Sequence, residues 1–205
     1  MSRFILPNPT GAEYALRVLD SESGDHRLVP LGFEARFPAY VADPSARDWL
    51  DRSEAEELRE LLNRYLQDVD ELPERVSHAI WLSEYSSRVP MIDIAWPQTV
   101  TALEALLNTD RAHLRRQFVT RVAALAAEFG IQDVDPSFAD DVYTIRSQGV
   151  HGTRVAFHAD PTAATKLGRL RNLLGLILRR TVEDRHFREV FENSSSIRAR
   201  WPVSI

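Results

Sequence analysis

The chain has 205 residues, a formal net charge of −5, 44% hydrophobic and 27% charged residues, and no cysteine. That is room for one substantial hydrophobic core with a short appendage, and it is the balance of an ordinary soluble globular protein. Disulfides and thiolate zinc sites are excluded. No apolar run approaches the eighteen or so residues of a membrane span, and the first residues lack the apolar core of a signal peptide, so a cytoplasmic location without membrane association is expected. The charge is uneven. Residues 1–100 carry 10 Arg against 18 acidic residues, a net of −8, whereas residues 101–205 carry 15 basic against 12 acidic residues, a net of +3. The second half therefore permits a local site for a polyanion, although the whole chain is not one that coats nucleic acid.

Residues 1–45 show no helical period. Pro7, Pro9, Gly11, Gly24, Pro30, Gly32, Pro38 and Pro44 break short apolar pieces such as 14–19, which predicts an irregular arm with a strand or a short hairpin. Helical patterning begins at Ser53, where early acids precede Leu58, Leu61, Leu62, Tyr65 and Leu66 at core spacing. Leu72-Pro73-Glu74 opens a second helix with Val76, Ala79, Ile80 and Leu82 inward. Trp81 and Tyr85 on that helix read as core packing rather than as stacking platforms for bases.

Residues 91–96 are either a short turn or the start of a helix kinked at Pro97. After Pro97, Val100, Leu103, Leu106 and Leu107 form a stripe with Glu104 at its edge. A break at 108–110 leads to a helix from Arg111 that buries Leu114, Phe118, Val122, Leu125 and Phe129 and stops at Gly130. Arg115, Arg116 and Arg121 on it read as a solvated face with ion pairs. A further helix starts at Pro136-Ser137, and another after Asp160-Pro161 carries a broad stripe of Leu167, Leu170, Leu173, Leu174, Ile177, Leu178 and Val182. A stripe that wide can meet two neighbours, the helix that starts at Pro136 and a second subunit. Residues 46–192 form the expected helical domain, closed by a short helix at Phe187, Val190 and Phe191, and 193–205 read as a tail or loosely docked end.

Chemistry concentrates at Tyr143-Thr144-Ile145-Arg146-Ser147-Gln148-Gly149-Val150-His151-Gly152. A guanidinium can hold a phosphate through a planar fork of donors, and an imidazole can exchange a proton near neutral pH. On an unbroken helix the two lie about 140° apart, so glycine near the helix end is needed to bring His151 round. The bland alternative is a structural ion pair for Arg146 and a capping role for His151.

The string Tyr-x-x-Arg-Ser-x-x-Val-His-Gly, preceded by 99–107 (TVTALEALL) and 117–122 (QFVTRV), resembles the signature of HEPN domains, in particular the ApeA-like branch. The resemblance covers residues 76–192. It implies an all-α, HEPN-like helical bundle carrying the short irregular or β N-terminal arm, which works as a homodimer without cofactor or metal. The activity it implies is a metal-independent endoribonuclease giving 2′,3′-cyclic phosphate ends, with Arg146 and His151 catalytic and Tyr143, Ser147 and Gln148 supporting. It also implies RNA as substrate and an antitoxin or defence protein as partner. Ser147 stands where many active members have Asn, Asp or His, so the competing expectation is a non-catalytic dimerisation or RNA-binding module in a defence or toxin–antitoxin complex.

Overall fold

The computed structural model describes residues 14–20, 26–33, 52–89, 91–150 and 162–204. Near the N-terminus, strands β1 (Tyr14–Asp20) and β2 (His26–Phe33) pair antiparallel, with Val18 opposite Leu28 and an irregularity between Ala15 and Leu16. The remainder of the expected 1–45 arm lies outside the described residues. Eight α-helices follow among the described residues, so from residue 52 on the described chain is all-α, as the patterning predicts. None is long and apolar enough to cross a membrane.

Helix α1 (Arg52–Asp68) runs into a 3-10 turn at Val69–Glu71 and then α2 (Glu74–Arg88). Helix α3 (Ile92–Leu107) is continuous through Pro97, so residues 92–96 are its first turns rather than a separate one. Proline removes the donor that the Asp93 carbonyl would use, a defect that the helix absorbs near its exposed start. Helix α3 is the hub: Trp96, Val100, Leu103, Leu106 and Leu107 are fully buried, and it packs on α2 and on three helices introduced next. Its contact with α2 includes a buried hydrogen bond from Thr99 Oγ1 to Ser86 Oγ at 3.2 Å.

Helix α4 (Leu114–Glu128) starts three residues later than the pattern predicts, because His113 adopts a left-handed backbone with φ +55° and ends the preceding turn. Leu114 therefore sits at the rim, 38% exposed, instead of in the core. The other end matches expectation. Gly130 at φ +72° donates to the Ala127 carbonyl while Ile131 donates to that of Ala126, a closure that favours glycine at this position. Helix α5 (Pro136–Val150) begins with proline in its first turn and Asp135 Oδ1 accepting from the Phe138 amide at 2.8 Å. Helix α6 (Ala163–Glu183) buries all seven residues of its broad stripe. Within the chain that stripe packs on α1, α2 and α3 and on the short α7 (Arg185–Glu189), not mainly on α5.

Residues 193–205, expected as a tail or loosely docked end, carry α8 (Ser194–Arg200). Asn193 Oδ1 caps it by accepting from the Ser196 amide, and Ile197 and Trp201 are buried. Trp201 joins Phe187 and Phe191 in edge-on and tilted ring contacts at 5.3–6.3 Å, with the Arg180 guanidinium 4.5 Å over Phe187. Two or three buried aromatic rings are worth several kcal/mol of burial, enough to dock a helix of seven residues.

Two further expectations are corrected. Trp81 and Tyr85 are exposed, because the inner face of α2 is Val76, Ala79, Leu82 and Ser86; the two rings lie parallel at 5.7 Å on the opposite side. Arg121 does not face solvent. It is 1% exposed, at i+3 from Phe118 and i−1 from Val122 on the buried stripe of α4.

Candidate functional site

The candidate site is built on α5. Ala139 and Val142 are fully buried and turn this helix toward α3 and α4. Trp96 Nε1 on α3 donates to the Val142 carbonyl at 3.2 Å, fixing the helix in register against the hub. One turn beyond Ala139 and Val142 on the same face come Tyr143 and Arg146. Both are half-buried.

Arg146 Nη2 donates to Glu104 Oε2 at 3.0 Å, with a quarter of the arginine side chain and 12% of the glutamate side chain exposed. The guanidinium carbon lies 5.9 Å from the centre of the Tyr143 ring, and that ring packs on Phe118 at 5.2 Å. Burial, followed by the Glu104 carboxylate, pushes the Tyr143 phenol above its ordinary value. Glu104 thus acts on both the phenol and the guanidinium. Arg146 Nε is enclosed and has no hydrogen-bond partner among the described residues.

The other expected residues divide. Tyr143 and Arg146 come together with Glu104. Ser147 is half-buried on the neighbouring face, and Gln148, about 200° round the helix from Arg146, is exposed. His151 lies outside the described residues, one position past the last residue of α5, as do Gly152 and the Asp160-Pro161 pair. Glu104 is the residue that motif reasoning misses. Its signal is positional: it falls at i+4 from Val100 and i−3 from Leu107, inside an apolar stripe where a carboxylate needs a partner.

On the outer side of α5, Arg115 of α4 makes a two-pronged pair with Asp140, both contacts at 2.6 Å, and a third hydrogen bond to Thr144 Oγ1 at 3.1 Å. Hydrogen bonding from Arg115 holds the Asp140 carboxyl below its usual range. A carboxylate depressed in the folded state contributes stability above its unfolded pKa, near 4, and loses it as pH falls through the folded value. The melting-temperature difference between the parent and Asp140→Asn is expected to be present at neutral pH and to close as the pH falls below the ordinary carboxylate range, through the depressed folded value. A difference that persists unchanged at acid pH would assign it to something other than this pair.

Among the described residues, no three His, Asp or Glu side chains gather to hold a metal ion. No family model, curated protein or solved structure matches the chain. What the fold defines is an all-helical domain of eight helices with a carboxylate–guanidinium–phenol cluster at one face of its core.

Proposed function

We propose that this chain is a metal-independent endoribonuclease of the HEPN type that acts as a homodimer in defence or toxin–antitoxin biology. The observation that carries the reading is Arg146: a guanidinium anchored through one nitrogen to Glu104 and laid beside the Tyr143 ring, with a quarter of its side chain still exposed. An arginine held in this way suits a phosphate whose charge grows during reaction. In the proposed step the ribose 2′-oxygen attacks phosphorus and the bond to the 5′-oxygen breaks. The proton leaves the 2′-hydroxyl and a proton reaches the departing 5′-oxygen, so the products are a 2′,3′-cyclic phosphate and a 5′-hydroxyl. His151 serves as acid or base in this transfer, Arg146 holds the phosphate, and Tyr143, Ser147 and Gln148 support them.

The test is incubation of the purified protein with a mixed RNA in EDTA, beside His151→Ala. Cleavage with cyclic phosphate ends is expected from the parent. The variant is expected to be slower by about 10²- to 10⁴-fold, the usual worth of a positioned acid or base. Equal cleavage by both proteins would remove His151 from the mechanism, and no cleavage by either would remove the enzyme. Growth arrest on expression, relieved by the same substitution, is the expected result in cells.

One observation favours a second reading. Glu104 already neutralises part of the charge that a phosphate needs, which suits a module that holds RNA or a partner without cutting it. In that case the parent and His151→Ala bind RNA equally and neither cleaves.

A further inference from the structure

An open groove of about 480 Å³ lies between α4 and α5, lined by His113, Arg115, Arg116, Val119, Thr120 and Asp140. With His113 counted as neutral, the two arginines and one aspartate of the lining leave a net charge of +1. Asp140 is the only carboxylate in the lining, and both its oxygens are taken by Arg115. That pair leaves a wall that does not repel an anion, and its two parallel contacts hold the Arg115 side chain in place. Arg116 is exposed and makes no ion pair among the described residues, in a protein with 30 acidic residues. Thr120, one turn further along α4, adds a half-buried hydroxyl to the same lining.

The groove also has a direction. Asp140, Thr144 and Ser147 are spaced i, i+4 and i+7, so they share one face of α5. A strand lying on Arg116 and Thr120 and following that face reaches Ser147 roughly 10 Å along the helix axis from Asp140. We propose that this groove seats the phosphodiester backbone of single-stranded RNA and leads it along α5 toward the Arg146 end of the helix. The inference rests on the ribonuclease reading and extends it, by assigning Arg115, Arg116 and Thr120 to a docking track separate from the reacting groups. Guanidinium and hydroxyl donors that contact phosphates position a strand without reading its bases, so the track is indifferent to sequence.

Arg116→Glu tests it, with Arg116→Ala as the milder change should the charge reversal disturb folding. Binding is measured against salt for a single-stranded RNA of twenty nucleotides or so and for DNA of the same sequence, and cleavage is measured on a dinucleotide too short to reach the groove. Arg116→Glu is expected to weaken binding of the long RNA about 5- to 10-fold at low salt and to lower the slope of log K against log salt by about 1. The DNA is expected to lose the same slope, as phosphate docking requires, and dinucleotide cleavage is expected to stay at the parent rate. A parent that cuts RNA while Arg116→Glu matches it in affinity and slope overturns the groove alone. A parent that neither binds nor cuts RNA overturns both the groove and the ribonuclease reading. Displacement of RNA by poly-glutamate of equal charge as readily as by RNA itself would assign the groove to an acidic peptide and overturn the proposal too.

Discussion

Replacing Arg121 with Met is expected to destabilise the domain by about 3–5 kcal/mol, because two or three buried acceptors lose their donor at roughly 1–3 kcal/mol each. Arg121 lies within the core stripe of α4 and donates from Nε to the Trp201 carbonyl at 3.1 Å. From Nη1 it donates to Gln117 Oε1 at 2.8 Å and to the Leu107 carbonyl, and both terminal nitrogens reach Thr109 Oγ1 at 3.3 Å. The Leu107 and Trp201 carbonyls are acceptors left over where α3 and α8 end, groups that a helix cannot satisfy itself. Burial lowers the pKa of the guanidinium, yet an arginine stays charged, so its cost is offset only by those acceptors. Methionine fills much of the volume and supplies no donor. Each carbonyl then left dry costs roughly 1–3 kcal/mol. Lysine keeps the charge but cannot span both helix ends, so Arg121→Lys is expected to lose at least about 2 kcal/mol. A urea midpoint for Arg121→Met within error of the parent would show that the network contributes nothing net.

The second large effect falls on cleavage. If the chain is the ribonuclease proposed above, Arg146→Ala is expected to lower kcat by about 10²- to 10³-fold, as loss of a positioned charge stabiliser does. It also leaves Glu104, only 12% exposed, without its guanidinium. A stability loss of about 1–2 kcal/mol is therefore expected alongside, below the value for a fully buried pair because Arg146 is partly solvated. Glu104→Gln separates the two functional readings. If the carboxylate positions Arg146 for chemistry, kcat falls about tenfold with KM little changed, since a small misplacement of such a group is enough to slow reaction. If the carboxylate only masks the arginine of a binding module, RNA affinity rises and no cleavage appears. Unchanged kcat and unchanged affinity in Glu104→Gln would leave Glu104 as a structural partner alone.

Much of the helical architecture was legible because it rests on a 3.6-residue period. All seven apolar residues of the α6 stripe are buried, and Gly130 and Pro136 mark a helix end and a helix start where the pattern puts them. What periodicity could not supply was the environment of each face. Arg121 and Glu104 both occupy stripe positions, so the signal of a buried charge was present, but recognising it required the partners, which come from distant segments. Trp81 and Tyr85 fail in the opposite sense. Their hydrophobicity suggested the core, while the small Ala79 and Ser86 mark the face of α2 that approaches α3 closely. Helix α8 escaped notice because three consecutive serines resemble a linker, although Asn193 before them is a cap and Ile197 and Trp201 after them are anchors. For the candidate site, Tyr143 and Arg146 were legible as a pair one turn apart; Glu104 and the Arg115–Asp140 clip were not, because both need the packing of neighbouring helices.

The ties that close the bundle bear on how it is made. Arg75 donates to Ser194 Oγ, Arg188 pairs with Asp68, and Arg179 pairs with Glu57, joining positions about 120 residues apart. A nascent chain leaves the ribosome from its N-terminus, so α1 emerges long before α6, the helix that covers it, has been translated. Docking of α1 is thereby deferred to late synthesis, and during that interval its apolar side is open to chaperones.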